Sequence, residues 1–242
     1  MFLSVVIPAY NEEKHILATL EKIARFLSAK SFLYEIIVVD DGSRDRTYET
    51  AKGFAQSSDR VRVLQNSVNE GKGSAVRKGV MASGGKYVLF LDADYSTSIE
   101  EIDKMLPLLE MDDRYDFVIA SRHIEGARIL RDEPFIRVFF GKIYHVLVKL
   151  LFLRGVSDYN CGFKLYRREV ARDLFSRILI KDYTFDAELL FLAQRLRYRY
   201  KEMPVTWRHN PHSKVRPFVD GIKTLRSLIE IQRNYRRGYY RI

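Results

Sequence analysis

The chain has 242 residues, enough for one large domain or two closely joined halves, and its 47% apolar content is ample for a core. The single cysteine, Cys161, rules out an internal disulfide, fits a reducing compartment and is expected to be structural; no run reaches the roughly 20 apolar residues of a membrane-spanning helix. The net charge of +10 is uneven: residues 1–121 hold 15 basic and 19 acidic side chains, a net of −4, whereas residues 122–242 hold 26 and 12, a net of +14. The second half is therefore expected to meet a polyanion such as nucleic acid, an anionic membrane or a phosphorylated substrate.

In chain order, Leu3 to Ile7 is a strand that runs into Pro8, Tyr10 and Glu12, with no basic region or cleavage site of a secretory signal ahead of it. Ile16, Leu17, Leu20, Ile23, Ala24 and Leu27 fall at helical spacing. Tyr34 to Val39 is a second strand, closed by Asp40, Asp41, Gly42 and Ser43, and a helix is predicted from Ser43 through Ala55. Arg60 to Leu64 alternates as a strand does, and Gly71 to Ser83 reads as a helix whose Ala75, Gly79 and Ala82 allow close packing on a sheet. Tyr87 to Leu91 is an apolar strand ending in Asp92, Ala93 and Asp94; a helix over 98–109 and a last clear strand over 116–120 follow. Strands alternating with helices predict an α/β, Rossmann-like fold with a mostly parallel central sheet and helices on both faces.

After Arg122 the pattern changes. Glu125 to Glu133 is charged and aperiodic and reads as a mobile loop. Ile136 to Leu153 reads as a helix with a wide apolar face and a stripe of Arg137, His145 and Lys149, a composition that suits a membrane interface or, equally, a core helix with a solvated edge. Phe218, Val219, Ile222, Leu225, Leu228, Ile229 and Ile231 outline another amphipathic helix, followed by arginines interleaved with Tyr235, Tyr239 and Tyr240. Two such helices favour the interfacial reading. Residues 1–121 and 122–242 are thus expected to be two halves of one continuous domain, the second facing acceptor and membrane.

Two acidic strand ends carry the chemistry. Asp92 and Asp94, spaced i, i+2, share a face if strand geometry persists, and two hard oxygen ligands suit Mg²⁺ or Mn²⁺ when a diphosphate completes the shell. Open α/β sheets bind ligands at the carboxyl ends of their strands, where Asp40, Asp41 or Glu12 can accept from ribose or base and Tyr10 can stack. Spacing cannot choose between Asp40 and Asp41. Ala9-Tyr-Asn-Glu stands where a nicotinamide-binding protein needs G-x-G-x-x-G, and no P-loop is present. Four acids at two strand ends would repel a phosphate backbone, so no nucleic acid is expected. His209 and His212 are expected at the surface.

These motifs, together with Asn69-x-Gly71-Lys72-Gly73-x-Ala75 and Ser121-Arg122, resemble the family-2 GT-A glycosyltransferases, inverting enzymes that use nucleotide sugars. Asp158-x-x-Cys161-Gly-Phe-Lys164, Phe185-Asp186-x-Glu188 and Ser213-Lys214 narrow the resemblance to the dolichyl-phosphate glucosyltransferases and their mannosyl relatives. The resemblance implies a GT-A fold and transfer of one hexose from UDP-glucose, or GDP-mannose, to a polyprenyl phosphate at the cytosolic membrane face. It implies donor contacts from Pro8, Tyr10, Glu12, Asp40, Asp41, Lys72, Gly73, Arg77, Asp92, Ala93 and Lys214, and a metal on Asp92 and Asp94. Asp94, Asp186 and Arg122 would be catalytic, and Arg122, Arg128, Arg131 and Arg137 would gather the acceptor phosphate. Tyr95-Ser96-Thr97 after the Asp pair, where mannosyl relatives carry a Gln, points to glucose; N-acetylglucosaminyl transfer or a hydroxyl acceptor are the alternatives. Members of this branch carry a membrane span at one end, and none is written here, so peripheral attachment through the amphipathic helices is expected.

Overall fold

A computed structural model describes residues 1–111, 114–130, 155–209, 217–240 and 242. Strands β1 (Leu3–Ala9) and β2 (Tyr34–Asp40) are buried at every position, as near-continuous apolar runs covered on both faces must be. With β3 (Val61–Gln65), β4 (Tyr87–Leu91), β5 (Phe117–Ser121), β7 (Phe163–Arg167) and β8 (Tyr200–Pro204) they form a seven-stranded sheet. Its order is β3-β2-β1-β4-β7-β5-β8. Only β7 runs antiparallel to its neighbours, β4 and β5. A short parallel ribbon of β6 (Arg128–Ile129) and β9 (Thr206–Trp207) caps the end of β5.

The period of two along each strand sorts the core into two layers. Val5, Ile7, Leu89, Leu91 and Leu165 face one layer with α1 (Ile16–Ser28) and α4 (Ile102–Glu110). Val6, Val88, Phe90, Ile119 and Tyr166 face the other, with α3 (Lys72–Ala82), α5 (Arg168–Arg177), α6 (Phe185–Arg195) and α7 (Pro217–Arg236). Gly79 fits here because a Cβ would strike Val6. From β1 the chain builds outward to β2 and β3, then returns to the other side of β1 as β4. That reversal makes the carboxyl ends of β1 and β4 a topological switch point, the place where such sheets take ligands.

Several expectations change. α2 spans Thr47–Gln56, starting later than Ser43, because residues 43–47 are occupied in a loop clasp. The stretch expected as a mobile loop contains β6, whose backbone pairs with β9. β7 and β8 are strands beyond the last one legible in sequence. The helix proposed over 136–153, with Arg131 and Arg137, lies outside the described residues, as do His212 and Lys214. His209, expected at the surface, is buried against Trp207 at a ring separation of 5.9 Å. In α7 much of the apolar face goes to the core: Leu228 and Ile231 are buried, and so is Tyr240 beyond the helix. The outward side keeps Leu225 and Ile229 with exposed Arg226, Arg233 and Arg236, and exposed Arg237 follows the helix.

Candidate active site

Strand β4 stops at Leu91, and residues 92–95 turn, with the Tyr95 N–H donating to the Asp92 carbonyl at 3.2 Å. The two carboxylates are therefore placed by a turn rather than by continued pleating. Tyr95 sits at φ 56°, as Asn11 does at φ 54° after β1; left-handed non-glycine residues at two neighbouring strand ends mark backbone held by its surroundings. The Asp94 carboxylate accepts from the Ser96 N–H at 3.0 Å. Burial and the Asp92 charge push its pKa above the usual carboxylate range. The Asp92 side chain packs on Gly162, where any Cβ would collide with its carboxylate, and the Asp92 N–H donates to the Gly162 carbonyl at 3.1 Å.

Asp92 lies two residues past Phe90, which pairs in register with Lys164 on β7. This face carries an alternating row of charges. Lys164, with no exposed surface, donates to the Asp186 carboxylate at 2.6 Å and to the Cys161 carbonyl at 2.7 Å. Lys72 donates to Asp92 at 2.8 Å. Burial works against the Lys72 charge, but Asp92 and Asp186 hold its pKa well above the usual lysine range. Burial pushes the Asp186 carboxyl up, and Lys164 and Lys72 pull against it. Lys164 stood in the sequence inside a recognised motif but carried no assigned role; only the folded chain brings this lysine of an apolar run opposite Asp186 on α6. Burial drives the Cys161 thiol up to about 12, so no thiolate forms near neutrality.

The end of β2 is wired differently. Asp41 accepts from Asn66 Nδ2 at 2.8 Å, the Glu70 N–H at 3.0 Å and the Gly71 N–H at 2.8 Å. Both its oxygens thus hold the loop that leads into α3. Asp40 accepts from the Ser43 N–H and Gln65, and its buried Oδ1 has no hydrogen-bond partner among the described residues. Ser43 and Thr47 accept from the Asn11 and Glu12 N–H groups, and Asp45 accepts from that of Glu13, so this motif clasps the loop after β1. The carboxylate of Glu12 meets His15 at 2.8 Å. Gly73 packs against Phe185, and its N–H is committed to the Lys181 carbonyl at 2.7 Å.

Pro8 is buried in β1, Tyr10 is half-buried just past it, and the Ala93 carbonyl accepts from Thr19. Arg122 is bidentate on buried Asp158, at 2.7 and 2.9 Å, with its guanidinium 5.0 Å from the Trp207 ring centre. That pairing, against the penalty of burial, holds the Asp158 carboxyl well below the usual range. Arg128 is exposed on β6. Arg77, five residues on from Lys72 and so about 140° round α3, donates to the Ser176 carbonyl on α5; the fold does not bring it to the Asp92 turn. Among the described residues no group of three histidine, cysteine or acidic side chains converges on a metal position. Asp92 and Asp94 fit a divalent cation as two hard oxygen donors, one of them raised by the other's charge, and further ligands would come from diphosphate and water.

The profile of glycosyl transferase family 2 matches residues 4–175. This chain belongs to that family and is a glycosyltransferase. A dolichyl-phosphate beta-glucosyltransferase of Drosophila melanogaster is 39% identical over 252 residues, covering 99% of this chain and 77% of its own length. The Homo sapiens enzyme of the same name is 35% identical, covering 99% and 78%. Among solved structures, glucosyl-3-phosphoglycerate synthase from Mycobacterium tuberculosis with phosphoglyceric acid superposes at a TM-score of 0.72 with 21% identity, over 95% of this chain and 79% of that one. The same synthase with Mn²⁺, UDP-glucose and phosphoglyceric acid gives a TM-score of 0.70 at 20% identity, over 95% and 79%. These structural likenesses show a shared GT-A architecture.

Proposed function

We propose that this glycosyltransferase moves glucose from UDP-glucose to dolichyl phosphate, with inversion, at the cytoplasmic face of a membrane. The single observation that carries the reading is the half-buried, mutually repelling carboxylate pair at the carboxyl end of β4, in a chain matched along its length by dolichyl-phosphate beta-glucosyltransferases. The relatives' names specify a β-linked product, which one displacement on an α-linked nucleotide sugar supplies.

Asp92 and Asp94 would hold Mg²⁺ or Mn²⁺, which when bound supplies Lewis-acid neutralisation at the diphosphate leaving group. Asp40, with its unpartnered oxygen, is the better candidate than the saturated Asp41 for accepting from the nucleoside, beside Tyr10. The acceptor needs no strong general base: a phosphate monoester has a second pKa near 6 and arrives ionised. Asp186, fixed by Lys164, therefore orients substrate rather than abstracting a proton. Arg122, locked on Asp158, forms a rigid cationic wall, and exposed Arg128 across the β6–β9 ribbon gathers the lipid phosphate. The first half of the chain holds the donor and the second half the acceptor.

Among the described residues no helix is long and apolar enough to cross a membrane. The outward side of α7 supports peripheral attachment. Round the helix from Leu228, Leu225, Arg236, Ile229, Arg233 and Arg226 follow one another over an arc of about 100°, and Arg237 comes just after the helix. All six are exposed, and among the described residues only Glu230 borders them with opposite charge. Arginines flanking aliphatic side chains fit an anionic lipid surface.

The deciding experiment supplies labelled UDP-glucose, GDP-mannose and UDP-N-acetylglucosamine in turn, with dolichyl phosphate in liposomes and Mg²⁺ or Mn²⁺. Label from UDP-glucose should become extractable into organic solvent. Transfer from GDP-mannose alone, or no lipid-linked product, would overturn the assignment.

A further inference from the structure

The Asp92 carboxylate is held from two sides. Its backbone and side chain are pinned against Gly162. Its outer oxygen is taken by the Lys72 ammonium at 2.8 Å, at the first residue of α3. That ammonium lies in an aromatic and anionic cage: the Phe90 ring centre is 5.1 Å away, the Tyr183 ring centre 5.8 Å, and the Asp186 charge also acts on it. Of the two partners, the glycine contact is rigid, whereas a lysine stem of four methylenes can move. A cation seeking Asp92 must therefore compete with one already there.

We propose that Lys72 gates the cation site, its ammonium occupying Asp92 until a nucleoside diphosphate arrives, so that a divalent ion binds Asp92 and Asp94 only together with the diphosphate. The inference rests on reading Asp92 and Asp94 as the metal-holding pair. The physical reason is charge. A bare dication would have to displace the ammonium from Asp92 and then sit close to its positive charge. A diphosphate brings oxygen ligands for the ion and an anion for the displaced ammonium to pair with. The gate thus orders binding and keeps the carboxylate pair from collecting metal in the absence of donor.

The test is Mn²⁺ binding to the full chain, read by the electron paramagnetic resonance of unbound Mn²⁺, first with the metal alone and then with UDP. In the native protein, UDP should tighten Mn²⁺ binding by about tenfold or more. Lys72→Met should bind Mn²⁺ alone about tenfold more tightly than the native protein does, because a unit positive charge beside the ligand is gone. UDP should then add little, while Lys72→Arg, which keeps the charge, retains the dependence on UDP. Lys72→Gln is a second neutral variant, read in the same way, with thermal melting confirming that each variant is folded. Unchanged or weaker binding of Mn²⁺ alone by the folded neutral variants overturns the gate while leaving the metal reading standing. Absence of Mn²⁺ binding with UDP in the native protein and neutral variants alike overturns the metal reading itself, and the gate with it.

Discussion

The carboxyl ends of β2 and β4 are near twins in sequence, each a short apolar run closed by a pair of aspartates, yet the fold uses them in opposite ways. At the β2 end, Asp41 is saturated by three donors from residues 66, 70 and 71 and braces a loop. At the β4 end, Asp94 accepts from Ser96 while its own burial and Asp92 raise its pKa, and Asp92 is balanced by a lysine. Carboxylates whose lone pairs the protein itself fills act as framework; Asp94, raised by burial and by the Asp92 charge, is the carboxylate that the proposed cation would relieve.

The largest expected effect breaks the β4 end. Asp94→Asn should lower glucosyl transfer by about a thousandfold or more, the scale of losing charge stabilisation at a leaving group. Lipid-linked label within tenfold of the native level would show that the pair is not the reacting centre. At the β2 end the damage should fall on stability instead. Asp41→Ala orphans three donors and should cost about 3 kcal/mol, or about 10 °C in Tm; an unchanged melting curve would remove the brace. The contrast extends to Glu188, another buried carboxylate, which accepts from the Leu179 and Ile180 N–H groups and from Tyr240. Burial raises its pKa to about 7 from 4.5. Between those values the folded protein holds more protons than the unfolded chain, so stability should fall as pH rises, by at most about 3 kcal/mol. Chemical denaturation at pH 4.5 and pH 7.5 should show that slope, and Glu188→Gln should flatten it. Asp186→Asn should leave measurable turnover, about a tenfold loss, since positioning rather than proton abstraction is removed. Loss as complete as in Asp94→Asn would favour a hydroxyl acceptor. The smallest effect is the most diagnostic: Asp94→Asn should raise the Tm of the ligand-free protein at neutral pH, because it removes a buried charge beside Asp92.

Much of the first half was legible in sequence because its signals are local. Strands covered on both faces are unbroken apolar runs, and helices between them show a period near 3.6 residues, so β1 to β5 and α1 to α4 fall close to their expected places. The second half was harder to read. β7 carries Lys164 at its second position, a residue type that speaks against burial until Asp186 is found opposite. α7 presents apolar residues on both its sides, and the sequence alone took them for one membrane face. Arg122 read as a cation available to substrate because Asp158, 36 residues away, is joined to it only by folding.

The order of strands and helices, the two acidic strand ends, the charge asymmetry of the halves and the kinship with glycosyltransferases are properties of the sequence, since each follows from residue type and short-range spacing. Which aspartate braces a loop and which lies beside a second carboxylate, which lysine balances which carboxylate, and which side of α7 meets solvent were decided only in three dimensions. The physical reason is that a buried charge is defined by its partners, and here those partners come from strands and loops tens of residues apart.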